Sequence, residues 1–373
     1  MIYLDSAATS LQKPRAVSEA TLLAMRTMAS PGRGGHAPSM LAAETVFNCR
    51  SAVDSFFNVG NPERVVFTFN ATHSLNIAIN SLVSRGDAVV ISGYEHNAVL
   101  RPLTALGANI RVAESPLFNP EAALEAFRRE LPGAACAVCT HVSNVFGYIL
   151  PIAEIAALCN SFGVPFIIDA AQSAGVIPID FTALGAEFLA APGHKGLLGP
   201  QGTGILLCRN SGKPLLFGGT GGASLSAQMP DFLPDLHEAG THNVAGIAGL
   251  EQGIAFLRSL PKNAVARHEK NLVRIFYEAL SEVSDTYIFL SDDPALQTGV
   301  VSITSDRLAC EELAERLAAN DVCVRGGLHC APLAHKSAGT LETGTVRFSF
   351  SPYNSERDIV KSAQILKKIL HET

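Results

Sequence analysis

The 373-residue chain lacks the charge patterns of a nucleic-acid-binding protein. Charged residues make up only 17% of it, the formal net charge at pH 7 is -6, and no block of like charges occurs. Nucleic-acid-binding domains usually carry a basic patch or stripe, and interaction tails are typically runs of one charge. We therefore expect neither a nucleic-acid partner nor a charged tail.

Long hydrophobic runs are also missing. No run reaches 18 consecutive apolar residues, the approximate length that indicates a membrane-spanning helix. The first residues lack the basic segment and apolar stretch of a secretory signal. The sequence therefore predicts a cytoplasmic protein with no membrane span.

The eight cysteines are scattered rather than concentrated as a disulfide framework, so we expect reduced and mostly buried thiols. Cys136 and Cys139 form a CxxC within a predicted strand. Residues three apart on a strand point to opposite faces, so we expect neither a disulfide nor a shared metal there. No other metal site is predicted.

Strand and helix patterns alternate from about residue 14 to 260. The strand patterns are nearly continuously apolar, as in a sheet buried on both faces, and they fall at 65–69, 87–92, 109–113, 135–140, 165–169, 187–190 and 203–208. This alternation predicts an α/β fold with a mostly parallel sheet between helices. After Gly240, two long helices and several short strands predict a smaller α+β domain.

Ligands of open parallel sheets bind beyond the carboxyl ends of the strands, so polar residues there are candidates for chemistry. Lys195 follows an apolar strand and lies between glycines in Gly193-His194-Lys195-Gly196. Burial at such a place would favour the neutral, nucleophilic amine that bonds to an aldehyde cofactor. The alternative for this motif alone is an ordinary surface lysine.

Asp169 ends another apolar strand, where a buried carboxylate requires a cationic partner. A protonated pyridine nitrogen would satisfy that requirement, and a helix N-cap is the alternative role. Two glycine-rich stretches, 199–204 and 218–222, match neither a dinucleotide-binding fingerprint nor a GxxxxGK[ST] loop. They are interpreted as turns.

Two further residues are candidates for substrate chemistry. Cys330 lies in a glycine-rich loop with Arg325 and His329, and cationic neighbours would raise its thiolate fraction; a buried structural cysteine is the alternative. Arg347 would lie on the strand face opposite Val346 and Phe348, where an arginine needs an anion. A substrate carboxylate and an internal salt bridge both fit.

Seven short motifs occur in the order of one known family. They are Leu4-Asp5-Ser6-Ala7-Ala8-Thr9-Ser10, Glu95-His96-Asn97, Thr140-His141-Val142-Ser143-Asn144, Asp169-Ala170-Ala171-Gln172, Gly193-His194-Lys195, Glu238-Ala239-Gly240-Thr241 and the pair Arg325 and Cys330. With these motifs the chain resembles the cysteine desulfurase and selenocysteine lyase group of class V aminotransferase-fold enzymes, which use pyridoxal 5'-phosphate (PLP).

The resemblance implies the PLP-dependent transferase fold of type I. The large PLP-binding domain would span residues 15–250, with its mostly parallel seven-stranded sheet, and the small domain would combine 1–14 and 251–373. It also implies a homodimer whose active sites are shared between subunits.

The same resemblance implies roles at the cofactor. Lys195 would bond covalently to the PLP aldehyde, Asp169 would pair with the ring nitrogen, and Gln172 would bind the ring phenolate oxygen. His96 would stack on the ring and assist proton transfer as a catalytic residue, and Asn144 would also bind the cofactor.

The phosphate would be bound by Thr72 and His194 of one subunit and Thr241 of the other. Pro192 stands where many relatives have a serine, which implies one phosphate contact fewer.

At the substrate, the resemblance implies that Asn144, Arg325 and Arg347 bind the amino acid and that Cys330 accepts its sulfur. The expected reaction converts L-cysteine to L-alanine and leaves a persulfide on Cys330, from which a sulfur-acceptor protein or a small thiol collects the sulfur. The alternatives are a class V aminotransferase, a selenocysteine lyase and a catalytically silent interaction protein on the same fold.

Overall fold

A computed structural model describes residues 1–32, 34–222, 224–281 and 283–372. The helices are α1 (Arg15–Thr27), α2 (Ala37–Phe57), α3 (Ala71–Leu82), α4 (Asn97–Leu106), α5 (Pro120–Glu130), α6 (Ile152–Ser161), α7 (Phe181–Leu184), α8 (Val244–Ser259), α9 (Ala264–Leu280), α10 (Cys310–Ala319), α11 (Pro332–Ala338) and α12 (Glu356–His371). The strands are β1 (Ile2–Tyr3), β2 (Val65–Thr68), β3 (Ala88–Ser92), β4 (Asn109–Ala113), β5 (Cys136–Thr140), β6 (Phe166–Asp169), β7 (Phe188–Pro192), β8 (Gly204–Cys208), β9 (Thr286–Phe289), β10 (Val300–Ser305), β11 (Val322–Cys323), β12 (Arg325–Gly327) and β13 (Thr345–Ser349).

The central sheet has seven strands within the described ranges, in the order β2-β8-β7-β6-β5-β3-β4. The pairs along β7-β6-β5-β3-β4 are all parallel, whereas β8 runs antiparallel to both of its neighbours. This confirms the predicted mostly parallel, seven-stranded α/β sheet. Because β5, β6 and β7 run in the same direction, their carboxyl ends lie side by side at one edge of the sheet.

Both faces of this sheet are buried, as the continuous apolar strand patterns predict. Cys139 belongs to the hydrophobic cluster on one face and Cys136 to the cluster on the other. The two thiols of the CxxC therefore point in opposite directions, as expected for residues three apart on a strand.

A smaller, four-stranded antiparallel sheet forms in the order β12-β13-β10-β9, with α9, α10 and α12 contributing to its hydrophobic cluster. The amino-terminal strand β1 pairs with β11, and Asp5 forms a bridge with Ser349 of β13. Both ends of the chain therefore meet at the smaller sheet. Where the large and small domains divide stays a prediction.

Several short elements differ from the sequence patterns. Helix α4 was not predicted because it is short and contains Pro102, which normally interrupts a helix, and α11 is only seven residues long. The stretch at 322–325 forms parts of two strands rather than one, since β11 pairs with β1 and β12 pairs with β13. No helix of the described chain has the length and apolar character needed to cross a membrane.

A buried ion pair ties α2 to the loop that precedes α8. Arg50 donates from both terminal nitrogens to the carboxylate of Glu238 at 2.8 Å, and the backbone N–H of Phe67 donates to the same carboxylate at 2.7 Å. Burial raises the pKa of Glu238, but Arg50 and His242 more than offset this and bring it below its ordinary value. The pair fixes the segment that leads to Thr241.

We expect Arg50→Met to lower the free energy of unfolding by ~3–5 kcal/mol, because it leaves the Glu238 carboxylate buried without its partner. Arg274 and Glu278 form an exposed pair with a similar distance of 2.7 Å, so Arg274→Met is the matched control. It should cost less than ~1 kcal/mol. Urea denaturation of both variants checks this, and equal losses would contradict the role assigned to Arg50.

Candidate active site

The carboxyl ends of β5, β6 and β7 open into a cavity that contains most of the predicted cofactor residues. Thr140 of β5 lies beside Asp169 of β6, which lies beside Ala190 of β7. The candidate residues that line the cavity are Thr72, His96, Asn144, Asp169, Gln172, His194 and Lys195. These side chains come from separate parts of the sequence, and the parallel strands bring them together.

Lys195 is carried on a tight loop that the glycines make possible. The backbone N–H of Gly193 donates to the carbonyl of Thr203, at 2.8 Å. A Cβ at position 193 would lie 2.1 Å from Oγ1 of Thr203 and one at position 196 would lie 2.4 Å from the carbonyl of Ala174. Only glycine fits at both places, so the loop packs closely enough to hold the lysine against the strand ends.

The surroundings of Lys195 favour its neutral form more than water does. Burial lowers the pKa of Lys195 to about 8, although the Asp169 carboxylate acts in the opposite direction. Burial in turn raises the pKa of Asp169, while the backbone N–H of Ala171, which donates to Oδ1 at 2.8 Å, and the charge of Lys195 lower it. A nucleophilic amine and a carboxylate thus share one cavity, as the sequence predicts.

Two histidines at the cavity are neutral near pH 7. Burial, and then the charge of Lys195, lower the pKa of His96 to about 4 and that of His194 to about 4. His96 caps α4 by accepting the backbone N–H of Ala98 through Nδ1, which fixes the ring. His194 Nδ1 lies 3.1 Å from Oγ1 of Thr9. Both rings can therefore flank a cofactor without adding positive charge.

The other end of the cavity is the amino terminus of α3. Asn70 caps this helix by accepting the backbone N–H of His73 at 2.9 Å, and Thr72 lies exposed in the first turn. Free backbone N–H groups and the helix dipole make such a terminus suitable for a phosphate. Thr241 does not line this cavity; it is exposed on neighbouring surface cavities that it shares with Glu238.

Arg347 forms the internal ion pair that the sequence left as one of two interpretations. Its Nη2 donates to Asp5 at 2.8 Å and its Nη1 donates to the backbone carbonyl of Asn144 at 3.0 Å. The third nitrogen of the guanidinium, Nε, is buried and has no hydrogen-bond partner. Arg347 thus keeps its Nε–H available for an anion while its side chain is already fixed.

Arg325 is the second partner of Asp5. It donates to Oδ2 from Nη2 at 2.9 Å and remains about half exposed. One carboxylate therefore holds both predicted substrate-binding arginines.

Cys330 is exposed, whereas Cys323 is partly exposed and the other cysteines are buried. The carbonyl of Cys330 accepts the backbone N–H of Asn97 at 2.8 Å, next to His96. The alternative of a buried structural cysteine is thus wrong, and the loop lies beside a residue that lines the cavity.

The expectation that His329 acts as a cationic neighbour of Cys330 is wrong. Its ring is buried, with Nε2 at 3.1 Å from the hydroxyl of Thr345. Burial and the nearby Arg347 lower the pKa of His329 to about 2, so the ring is neutral. Of the two predicted cationic neighbours, only Arg325 can therefore supply positive charge beside Cys330.

Two acidic residues had no role in the sequence interpretation. Asp5 accepts hydrogen bonds from Arg325 and Arg347, and the motif at residues 4–10 was the only sequence signal for it. Glu95 is fully buried, accepts the backbone N–H of Thr140 at 2.7 Å, and has its pKa raised to about 8 by burial. The position of Glu95 directly before His96, a candidate cofactor residue, was the sequence signal that could have indicated a role for it.

The donor set matches the chemistry of PLP. An amine with a lowered pKa suits the aldehyde, a carboxylate suits the ring nitrogen, and a helix amino terminus suits the phosphate. The unpaired Nε of Arg347 in addition suits the carboxylate of an amino-acid substrate. No cluster of three His, Cys, Asp or Glu side chains that could hold a metal ion occurs among the residues described.

Comparison with known proteins agrees with this donor set. Residues 2–361 match the family model "Aminotransferase class-V". A probable cysteine desulfurase from Methanothermobacter thermautotrophicus is 31% identical, over 99% of this chain and 94% of that relative. A cysteine desulfurase from Klebsiella pneumoniae is 32% identical, over 99% of this chain and 94% of that relative.

Solved structures give the same result. The apo structure of the cysteine desulfurase from Thermococcus onnurineus superposes with a TM-score of 0.93 at 32% identity, covering 100% of this chain and 95% of that one. A cysteine desulfurase from Escherichia coli superposes with a TM-score of 0.86 at 27% identity, over the same shares. Class V aminotransferases and cysteine desulfurases are PLP-dependent enzymes. The chain belongs to the aminotransferase class-V family.

Proposed function

We propose that this protein is a PLP-dependent cysteine desulfurase, which converts L-cysteine to L-alanine and transfers the sulfur to Cys330. The main support for the proposal is that Lys195 and Asp169 line the same cavity. Lys195 is half-buried, and its amine has a pKa of about 8. The relatives named cysteine desulfurase support this reaction over amino transfer to a keto acid. Selenocysteine is the close substrate alternative.

When bound, PLP supplies an aldehyde that bonds to the substrate amine and a ring that withdraws electrons from Cα. Lys195 would hold the cofactor in the resting enzyme and, once released, accept the Cα proton at Nζ. Asp169 would keep the ring nitrogen protonated, since a carboxylate stabilises a cation beside it. Gln172 and neutral His96 would fix the ring from its edge and its face.

The substrate carboxylate would bind between Asn144 and Arg347. The unpaired Nε of Arg347 supports this, because a buried donor without a partner is costly until an acceptor arrives. Asp5 would hold the guanidinium in place through the 2.8 Å contact with Nη2. The positive charge of Arg325 would also attract the substrate carboxylate.

Cys330 would attack the substrate sulfur as a thiolate. The bond between Cβ and sulfur breaks, a bond between the two sulfurs forms, and Cβ receives the proton that completes alanine. One cysteine and one thiol thus give one alanine and one persulfide, and no external oxidant is needed. The exposure of Cys330 supports this role, since a sulfur-acceptor protein or a small thiol must reach it.

We also propose a homodimer with shared active sites. Large apolar side chains are exposed on α1 and α2, among them Leu23, Met25, Met40 and Phe47. Exposed apolar surface of this kind is typical of an interface. Phe47 lines the same surface cavity as Thr241, so such an interface would bring Thr241 toward the phosphate of a partner subunit.

Lys195→Ala should abolish the visible absorption of the bound cofactor, because no other lysine lines the cavity among the described residues. Sulfide release from L-cysteine should fall to background. Lys213→Ala, at an exposed position away from the cavity, is the control and should keep both properties. Absorption that persists in Lys195→Ala would contradict the assignment.

Cys330→Ala should keep the visible absorption and lose sulfide release from L-cysteine, because only the sulfur acceptor is removed. Cys323→Ala is the matched control and should retain turnover. Alanine and sulfide are measured with and without reductant, alongside transfer of the amino group to keto acids. Unchanged turnover in Cys330→Ala would remove this residue from the mechanism.

The rate at which cofactor-free protein takes up PLP should rise with pH and level off above about 8, since the neutral amine of Lys195 reacts. Because the Asp169 carboxylate raises that pKa, Asp169→Asn should move the midpoint to lower pH. Stopped-flow absorbance measures the profile, with Asp180→Asn, in the cap of α7, as the control. A midpoint that stays in place or moves upward in Asp169→Asn would contradict the coupling.

A further inference from the structure

The loop that carries Cys330 is attached to a residue expected to bind the substrate. The side-chain amide of Asn144 donates from Nδ2 to the backbone carbonyl of His329 at 2.8 Å. Asn144 is buried, so water does not compete for this bond. The bond connects the segment that follows β5 directly to the residue before Cys330.

The backbone of this loop has an unfavourable conformation that requires support. His329 has φ of 49° and Cys330 has φ of 56°. Two consecutive residues other than glycine in the left-handed region are strained, and such strain persists only where surrounding contacts impose it. Without those contacts the loop would relax and the Sγ of Cys330 would move.

The contacts that hold the loop come from several directions. The carbonyl of Cys330 accepts the N–H of Asn97, and the ring of His329 is fixed by Thr345 at 3.1 Å. Asn144 is held by Arg347, which donates to its backbone carbonyl. Of these contacts, the amide of Asn144 is the one that also faces the cavity.

We propose that Asn144 is a positioning residue for Cys330 as well as a substrate-binding residue. An amide nitrogen carries two N–H groups. One holds the carbonyl of His329, and the other is available to a substrate carboxylate that also reaches Nε of Arg347. The same side chain then sets the positions of both sulfur atoms that must meet. The substrate-binding part of this inference rests on the proposed function, whereas the positioning of the Cys330 loop does not.

The loop is tested in cofactor-free protein, where turnover plays no part. Asn144→Asp keeps the size of the side chain but replaces the N–H donor with an oxygen that repels the carbonyl of His329. We expect iodoacetamide to alkylate Cys330 about tenfold faster than in the wild type, the factor that corresponds to one lost hydrogen bond. Peptide mass spectrometry follows the rate, and Cys323 in the same digest is the internal reference.

Asn144→Ala also removes the amide donor to the carbonyl of His329. If the aspartate variant does not fold, the alanine variant tests whether this donor positions the loop. The matched control is Asn97→Ala, because Asn97 binds the loop through its backbone N–H and the substitution keeps that contact. Its alkylation rate should match the wild type. Wild-type rates in a folded Asn144→Asp or Asn144→Ala protein would overturn the proposal.

Kinetics of the PLP-loaded enzyme separate positioning from carboxylate binding. A residue that only bound the carboxylate would raise KM and leave kcat for sulfide release unchanged at saturating L-cysteine. We expect Asn144→Asp to lower kcat as well. A change in KM alone would overturn the positioning role, whereas altered alkylation without any desulfurase activity in the wild type would refute only the proposed function.

Discussion

The partial removal of one lysine from water is the constraint on which the rest of this structure depends. Lys195 loses solvation at the ends of parallel strands, and this lowers the pKa of its amine to about 8. The glycines at 193 and 196 allow the loop to pack closely enough for this. Asp169 limits the effect, so the amine keeps part of its basicity.

Asp5 connects this centre to the rest of the molecule. It receives hydrogen bonds from Arg325 at the start of the Cys330 loop and from Arg347 on the neighbouring strand. Because Asp5 follows β1, the amino-terminal segment is attached to the smaller sheet at the place where substrate would arrive. One buried carboxylate thus fixes two cations that would otherwise repel each other.

The sequence predicted the central sheet, and the meeting of Asp169 and Lys195 at its edge, because both depend on local patterns. Apolar strands followed by Asp169 or Lys195 indicate side chains that meet at one edge of a parallel sheet. The neutral state of His329 could not be predicted, because it depends on burial against Thr345 and Arg347, which are distant in sequence. The ion pair of Arg347 stayed undecided for the same reason, since its partner Asp5 lies at the other end of the chain. Helix α4 was missed because Pro102 is normally a sign against a helix.

Lys195 is the one amine that we propose to form the covalent link to PLP. Borohydride reduction of the loaded protein makes such a link permanent, and peptide mass spectrometry then locates it. We expect the added mass on Lys195 and on no other lysine. Added mass on a different lysine, or none on any peptide of a protein that binds PLP, would contradict it.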